Sequence, residues 1–299
     1  MLYHLAALFM GSFGPARLLQ SYAVLIVVAL YLGFSLTVLF LPKFYKRLPH
    51  DRGREFTPTA EAAKGKPTGA GVVFISFFVL LVALIVPLDG LQVCMVFLTW
   101  ITMLTGFLDD RSTKSWGEYL KGALDLVICL TSAFILYYFL SKNNADEKLY
   151  FWLPFTSKNI TIAPWLYICI TTIMLWLSIN TTNCTDGVDG LSSTLVLIAL
   201  ITMGCIFYFI LGHKEISSYL LVPHLTDGAT WAIMTFCLAG VLMGYLWHNA
   251  FPSSVLMGDA GSRALGFFIG VCVMVSGNPL LILATSSIIF VNGGMGLIK

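Results

Sequence analysis

The sequence predicts an all-α fold: a polytopic transmembrane helical bundle of about nine spans, forming one integral membrane domain over residues 1–299. Three observations predict it. Hydrophobic residues make up 58% of the 299 positions. Charged residues make up only 11%, against about 25% in soluble domains, too few to cover a globular surface. The apolar residues also gather in runs near the ~20 residues that a helix needs to cross a hydrocarbon core. No water satisfies backbone N–H and C=O groups inside that core, so each span is a helix or part of a closed barrel. The runs are continuously apolar rather than alternating, which excludes the barrel.

The first run, 20–42, follows Arg17 and is too long for the apolar region of a signal peptide, so it reads as a retained span. A polar, basic stretch separates it from the second run, 70–88. The third, 91–108, ends against two acids, and the fourth, 120–141, begins beyond a short loop. The remaining runs are 162–179, 191–212, 229–247, 255–276 and 279–297. Trp116, Tyr119, Trp152, Trp165 and Trp247 lie near run ends, where an interfacial aromatic belt places them.

Loops alternate between the two faces of the membrane, so the basic residues assign an orientation. Lys43, Lys46, Arg47, Arg52, Arg54, Lys64 and Lys66 follow the first span. Arg111, Lys114 and Lys121 lie after the third, Arg263 follows the loop after the seventh, and Lys299 follows the ninth. Arg17, Lys142, Lys148, Lys158 and Lys214 fall on the other face. The excess marks the first face as cytoplasmic and the N-terminus as outside. A net charge of +2 and the lack of a Lys/Arg-rich run argue against a nucleic-acid partner. The seven cysteines contain no Cys-x-x-Cys and read as small hydrophobes. His4, His50, His213, His224 and His248 share no metal-ligand spacing, which argues against zinc.

Three acidic constellations fall on the cytoplasmic face. Asp109 and Asp110 end the third span in Gly106-Phe-Leu-Asp-Asp-Arg111. Two adjacent carboxylates at a helix C-terminus face the negative end of its dipole, so a cation is expected to compensate them. They also read as solvated loop acids. Asp186 and Asp189 stand three apart before the sixth span, and a helix starting there would put both on one face. Simple capping of that helix is the alternative. Asn180 and Asn183 add amide groups upstream. Asp259 lies between apolar residues close to membrane depth, where an ionisable side chain is a functional-site hypothesis by default. Five aspartates from three loops on one face suit Mg²⁺, which takes hard oxygen ligands, commonly one or two carboxylates plus substrate phosphates. Lys121 and Asp125, four apart at the head of the fourth span, are expected to pair. No Gly-rich nucleotide-binding motif of a soluble module is present.

These residues stand in four strings: Lys64-Gly-Lys-Pro-Thr-Gly-Ala-Gly71, Gly106-Phe-Leu-Asp-Asp110, Asn183-Cys-Thr-Asp-Gly-Val-Asp-Gly-Leu191, and Asn249 through Val255-Leu-Met-Gly-Asp-Ala-Gly-Ser262. In combination they make the chain resemble the polyprenyl-phosphate N-acetylhexosamine-1-phosphate transferases along nearly its whole length. The Thr-Asp-Gly wording and the Pro-Thr-x-x-Gly segment favour the branch of that family that acts on a muramoyl-pentapeptide donor.

The resemblance implies ten transmembrane helices, a bacterial cytoplasmic (inner) membrane location and an active site on the cytoplasmic side. It implies Mg²⁺ as cofactor, UDP-MurNAc-pentapeptide as donor and undecaprenyl phosphate as acceptor, with the lipid bilayer around the protein and a homodimer as a further expectation. Asp109 and Asp110 match the family's aspartate pair, and Asp259 its magnesium-binding aspartate; these three are the expected catalytic residues, with Asp259 the metal ligand. Asn183, Asp186 and Asp189 match its nucleotide-site loop. Lys121 matches a lysine near the phosphates, Thr68 a threonine near the nucleoside, and Asn249 the start of the last motif, completing the expected substrate-binding set.

Two departures stand out. The family usually has Phe three residues before the magnesium aspartate, stacked on uracil, where this chain has Leu256. The family's His-rich loop and tenth helix lie beyond the point where this sequence stops, and the apolar end at Ile298-Lys299 reads as an interrupted span, so truncation is expected. Three other readings stand beside this one: the same chemistry with UDP-N-acetylglucosamine as donor, an inactive family member, and a transporter whose acids form an ion path.

Overall fold

The computed structural model describes residues 3, 14–51, 64–113, 116–142, 148–153 and 159–298. Of the residues singled out from the sequence, His4, Arg52, Arg54, Lys114, Lys158 and Lys299 lie outside these.

The protein is an α-helical membrane bundle. A 3-10 segment, Gly14–Gln20, leads into α1, Tyr22–Phe40, which continues as 3-10 helix over Leu41–Arg47. Then come α2 (Gly71–Ile85), α3 (Gly90–Arg111) and α4 (Glu118–Lys142). A two-stranded antiparallel hairpin follows, β1 (Leu149–Trp152) with β2 (Asn159–Ile162), in the register Leu149 opposite Ile162. The chain continues through α5 (Pro164–Thr185), α6 (Leu191–Cys205) with a π-helical extension over Ile206–Leu211, and the short α7 (Lys214–Tyr219). It ends with α8 (Gly228–Asn249), α9 (Gly258–Val275), α10 (Leu281–Thr285) and α11 (Ser287–Ile298).

All nine predicted runs are helical, but they are not all full spans. Seven helices among the described residues are long and apolar enough to cross a membrane. The second run forms only the 15 residues of α2, about 22 Å at 1.5 Å per residue. The ninth is broken at Ser286 into α10, of 5 residues, and α11, of 12. The hairpin between α4 and α5 is not legible in the sequence, because its strands are four residues each and carry no alternation long enough to notice. Trp152, expected at the interface, is instead buried in that hairpin, its indole N–H donating to the Ser276 carbonyl at 2.7 Å. Tyr119, Trp165 and Trp247 are exposed, as a belt requires. All seven cysteines are free.

Helix α9 is the axis of the bundle. It packs on α2, α3, α5 and α6. Every one of its residues except Asp259 is buried, as expected for a helix apolar nearly all round. Lipid tails are as apolar as leucine, so membrane helices gain cohesion from close packing at small residues. Gly106 of α3 is one such contact: a Cβ there would lie 2.4 Å from the Asp259 carbonyl oxygen. This approach brings the C-terminus of α3 against the N-terminus of α9.

Candidate active site

The ends of α3, α4, α5 and α9 surround a cavity of about 370 Å³ lined by His50, Asp51, Thr68, Asp109, Asp110, Ser112, Lys121, Asn183, Asp186, Gly258 and Asp259. Seven of the nine residues predicted for the site are therefore brought together: Thr68, Asp109, Asp110, Lys121, Asn183, Asp186 and Asp259.

Asp109 and Asp110 are adjacent in the last turn of α3 but have different partners. Asp109 Oδ1 accepts the backbone N–H of Trp116 at 2.6 Å, and Asp109 Oδ2 lies 2.7 Å from Lys121 Nζ. Asp110 turns to α9, where its two oxygens accept the backbone N–H groups of Asp259 and Ala260, each at 3.0 Å. Those donors belong to the first turn of a helix, which has no internal partners for them and carries the positive end of the dipole. The compensation expected from a cation is thus supplied by Lys121 for Asp109 and by a helix N-terminus for Asp110. Room for the Asp110 carboxylate comes from Gly258, at φ +68, where a Cβ would lie 2.4 Å from Asp110 Oδ2.

Lys121 Nζ also contacts Asp259 Oδ2 at 3.0 Å. It does not pair with Asp125 as the four-residue spacing suggested. Asp125 is bound by the guanidinium of Arg263 from α9, with both side chains buried.

Asp186 and Asp189 do not share a helix face. Helix α5 runs on to Thr185, Asp186 is its C-cap, and the next helix begins only at Leu191. Both acids sit in the turn between helices, and only Asp186 lines the cavity. Asp189 Oδ2 accepts the Ser253 N–H at 3.1 Å and lies 3.5 Å from Lys66 Nζ. Asn180 and Asn183 stand in the last turns of α5 rather than in a loop, and Asn183 Oδ1 accepts from Ser262 Oγ at 2.7 Å.

Asn249 is also outside the cavity lining. Its Oδ1 accepts from Gly190 N–H at 3.0 Å and from Ser193 Oγ at 2.9 Å, while Nδ2 donates to the Val255 carbonyl at 3.0 Å. It ties the α5–α6 turn to the segment leading into α9. That segment is further held by 65–71: Leu256 N–H donates to Pro67 O at 2.8 Å, and Ala70 and Gly71 donate to Leu256 and Met257 carbonyls at 3.1 Å. Thr68 reaches the cavity on this strip. Leu256 itself is buried, at 7% exposure.

His50, Asp51 and Ser112 also line the cavity. Nothing in their local spacing marks them. His50 and Asp51 are brought in by pairing with the 65–68 strip: Asp51 N–H donates to Lys66 O, and Thr68 N–H to Pro49 O, each at 2.8 Å.

The donor set suits a hard cation that is shared with a ligand. Among the described residues no cluster of three His, Cys, Asp or Glu side chains forms a complete metal cage. Two carboxylate oxygens, from Asp109 and Asp259, nevertheless converge on one cationic point, the Lys121 ammonium. Mg²⁺ commonly takes one or two carboxylates and completes its shell with water and substrate phosphates, so these residues fit it.

Residues 92–277 match the family model described as glycosyl transferase family 4. The chain is 56% identical over 287 residues to the phospho-N-acetylmuramoyl-pentapeptide-transferase of Treponema pallidum (strain Nichols), covering 96% of this chain and 78% of that protein. It is 31% identical over 271 residues to the enzyme of the same name from Campylobacter hominis, covering 86% and 74%. It is 30% identical over 270 residues to that from Helicobacter pylori (strain ATCC 700392 / 26695), with the same coverage. The match takes in nearly all of α3 through α9, the helices whose ends build the cavity, and the chain belongs to glycosyl transferase family 4.

Proposed function

We propose that this chain transfers phospho-MurNAc-pentapeptide from UDP-MurNAc-pentapeptide to undecaprenyl phosphate, releasing UMP. The observation that carries the reading is Lys121 held between Asp109 and Asp259 in the lining of a polar cavity, in a chain more than half identical to a relative named phospho-N-acetylmuramoyl-pentapeptide-transferase. The site lies at the common end of membrane helices. There a water-soluble nucleotide meets a lipid whose phosphate sits at the bilayer surface. The excess of basic residues on this face supports a cytoplasmic active site in a bacterial inner membrane.

The reaction joins an oxygen of the lipid phosphate to the sugar-side phosphorus of the donor. The bond from that phosphorus to the UMP oxygen breaks, and UMP departs with the electron pair. Such transfers need little covalent chemistry from the protein, and catalysis is positioning plus charge stabilisation. Lys121 supplies a cation for the pyrophosphate, and Thr68, Asn183 and Asp186 bound the donor. Asp259 would hold Mg²⁺, which when bound neutralises charge on the phosphates as a Lewis acid. Asp110 fixes the N-terminus of α9 and so the position of Asp259. Asp109 would take the lipid phosphate's proton, a small contribution at neutral pH because the second phosphate pKa is about 6.

The test is release of UMP from UDP-MurNAc-pentapeptide by the detergent-solubilised chain with undecaprenyl phosphate and Mg²⁺, with UDP-N-acetylglucosamine as the rival donor. Turnover of only the second donor would overturn the choice of sugar. Turnover without a gradient argues against a transporter, and so does the collection of the acids at one end of the bundle.

A further inference from the structure

Two ion pairs link α4 to α9, and they replace the pairs that each helix would make alone. Helix α4 carries Lys121 and Asp125, and α9 carries Asp259 and Arg263, each acid and base four residues apart. At that spacing the two side chains stand one turn apart on one face and pair within the helix by default. Neither helix does so. Lys121 crosses to Asp259, and Arg263 crosses one turn deeper to Asp125. Helix α4 packs on α3 and α5, and α9 packs on the same two helices, so these long side chains carry the link between α4 and α9.

The deeper pair is a costly feature to keep. Arg263 and Asp125 are each 1% exposed, and Arg263 Nε and Nη1 have no hydrogen-bond partner among the described residues. A buried pair of this kind usually gains no stability over apolar side chains of similar size. Its other property is to engage two charges that stand one helical turn below Lys121 and Asp259. A free Asp125 would compete for Lys121, and a free Arg263 would compete for Asp259.

We propose that Asp125 and Arg263 are positioning residues. By holding each other they keep Lys121 and Asp259 directed into the cavity. The inference deepens the functional reading above and rests on it for the role of the two residues it positions.

The test uses Arg263→Lys, which keeps the charge balance of the interior but shortens the reach to α4 and releases Asp125 to Lys121. The kcat for UMP release falls about 10- to 100-fold, the range for a slightly misplaced group, and the loss is read well below the variant's own melting transition, which the released buried charge lowers. UMP affinity, measured by titration, weakens in parallel. The double variant Asp125→Asn/Arg263→Gln removes both competing charges and brings kcat back well above that of Arg263→Lys. Wild-type kcat and UMP affinity in Arg263→Lys would overturn the proposal; so would a slow Arg263→Lys whose double variant is equally slow, the result expected of a merely structural pair. If Arg263→Lys does not fold, Asp125→Glu disturbs the same contact at constant charge and is read in the same way. A wild-type chain that releases no UMP counts against the functional reading instead, and UMP affinity across the same variants then decides this one.

Discussion

Asp110 holds Asp259 through the backbone: its carboxylate, at the end of α3, accepts the N–H groups of Asp259 and Ala260 in the first turn of α9 at 3.0 Å. The acid that lines the cavity from α9 is therefore fixed by an acid 149 residues earlier in the chain. Loss of a carboxylate at such a helix start costs about 0.5–2 kcal/mol. Asp110→Ala is expected to lower the melting temperature and to reduce turnover, and Asp110→Asn, which keeps one acceptor oxygen, to lose less of both. Melting curves and UMP release on the same samples check the order.

Asp259→Asn is expected to behave differently. Its side chain makes no backbone cap, so folding is preserved, while turnover drops by about 10²–10³, the loss typical of one preorganised electrostatic group. Wild-type turnover with an unchanged Mg²⁺ requirement would remove Asp259 from the proposed metal site.

Gly258 is a tight point of the site. At φ +68 a side chain is strained, and a Cβ would lie 2.4 Å from Asp110 Oδ2. The left-handed backbone alone costs about 1–2 kcal/mol for a residue with a Cβ. Gly258→Ala is expected to lower both stability and turnover. Gly14→Ala, where a Cβ meets nothing within 4 Å, serves as the neutral control. Equal melting temperatures for the two variants would contradict the packing described.

At the far end of α8, just before its first residue, burial raises the pKa of Asp227 above the usual carboxylate value, against hydrogen bonds from the Trp231 indole at 2.8 Å and Gln92 at 3.4 Å. The folded state thus holds this proton more tightly than the unfolded chain. The resulting stabilisation is complete below the unfolded pKa and is lost as pH rises through the folded one. Asp227→Asn is expected to remove that pH dependence, and its gain in melting temperature over wild type should be larger at pH 7 than at pH 4. A gain independent of pH would show that Asp227 ionises as it does in the unfolded chain.

What was legible in the sequence follows from one constraint. Backbone polar groups in a hydrocarbon core must be satisfied within the segment, so long apolar runs can only be helices, and their ends mark where polar chemistry reaches the membrane face. That placed Asp109, Asp110 and Asp259 at helix ends. It did not locate the breaks. Both α2 and the interruption at Ser286 lie in runs whose composition looks continuous. Asp189 and Asn249 belong to motifs of the site, yet their side chains secure the walls rather than line the cavity.

Pairing was decided only by the tertiary structure. Local spacing joins Lys121 to Asp125. The bundle joins Lys121 to Asp109 and Asp259, and Asp125 to Arg263, and both links between α4 and α9 span 138 residues of sequence. The physical reason is that i,i+4 pairing contributes only ~0.2–0.5 kcal/mol in a solvated helix, while an unpaired charge in a dry interior costs far more. Once α4 and α9 pack against the same two helices, α3 and α5, the buried charges must be matched between them. The sequence by itself determined that this protein is a helical membrane bundle with acids at one end. Packing alone decided which of those acids face the cavity and which cation each one meets.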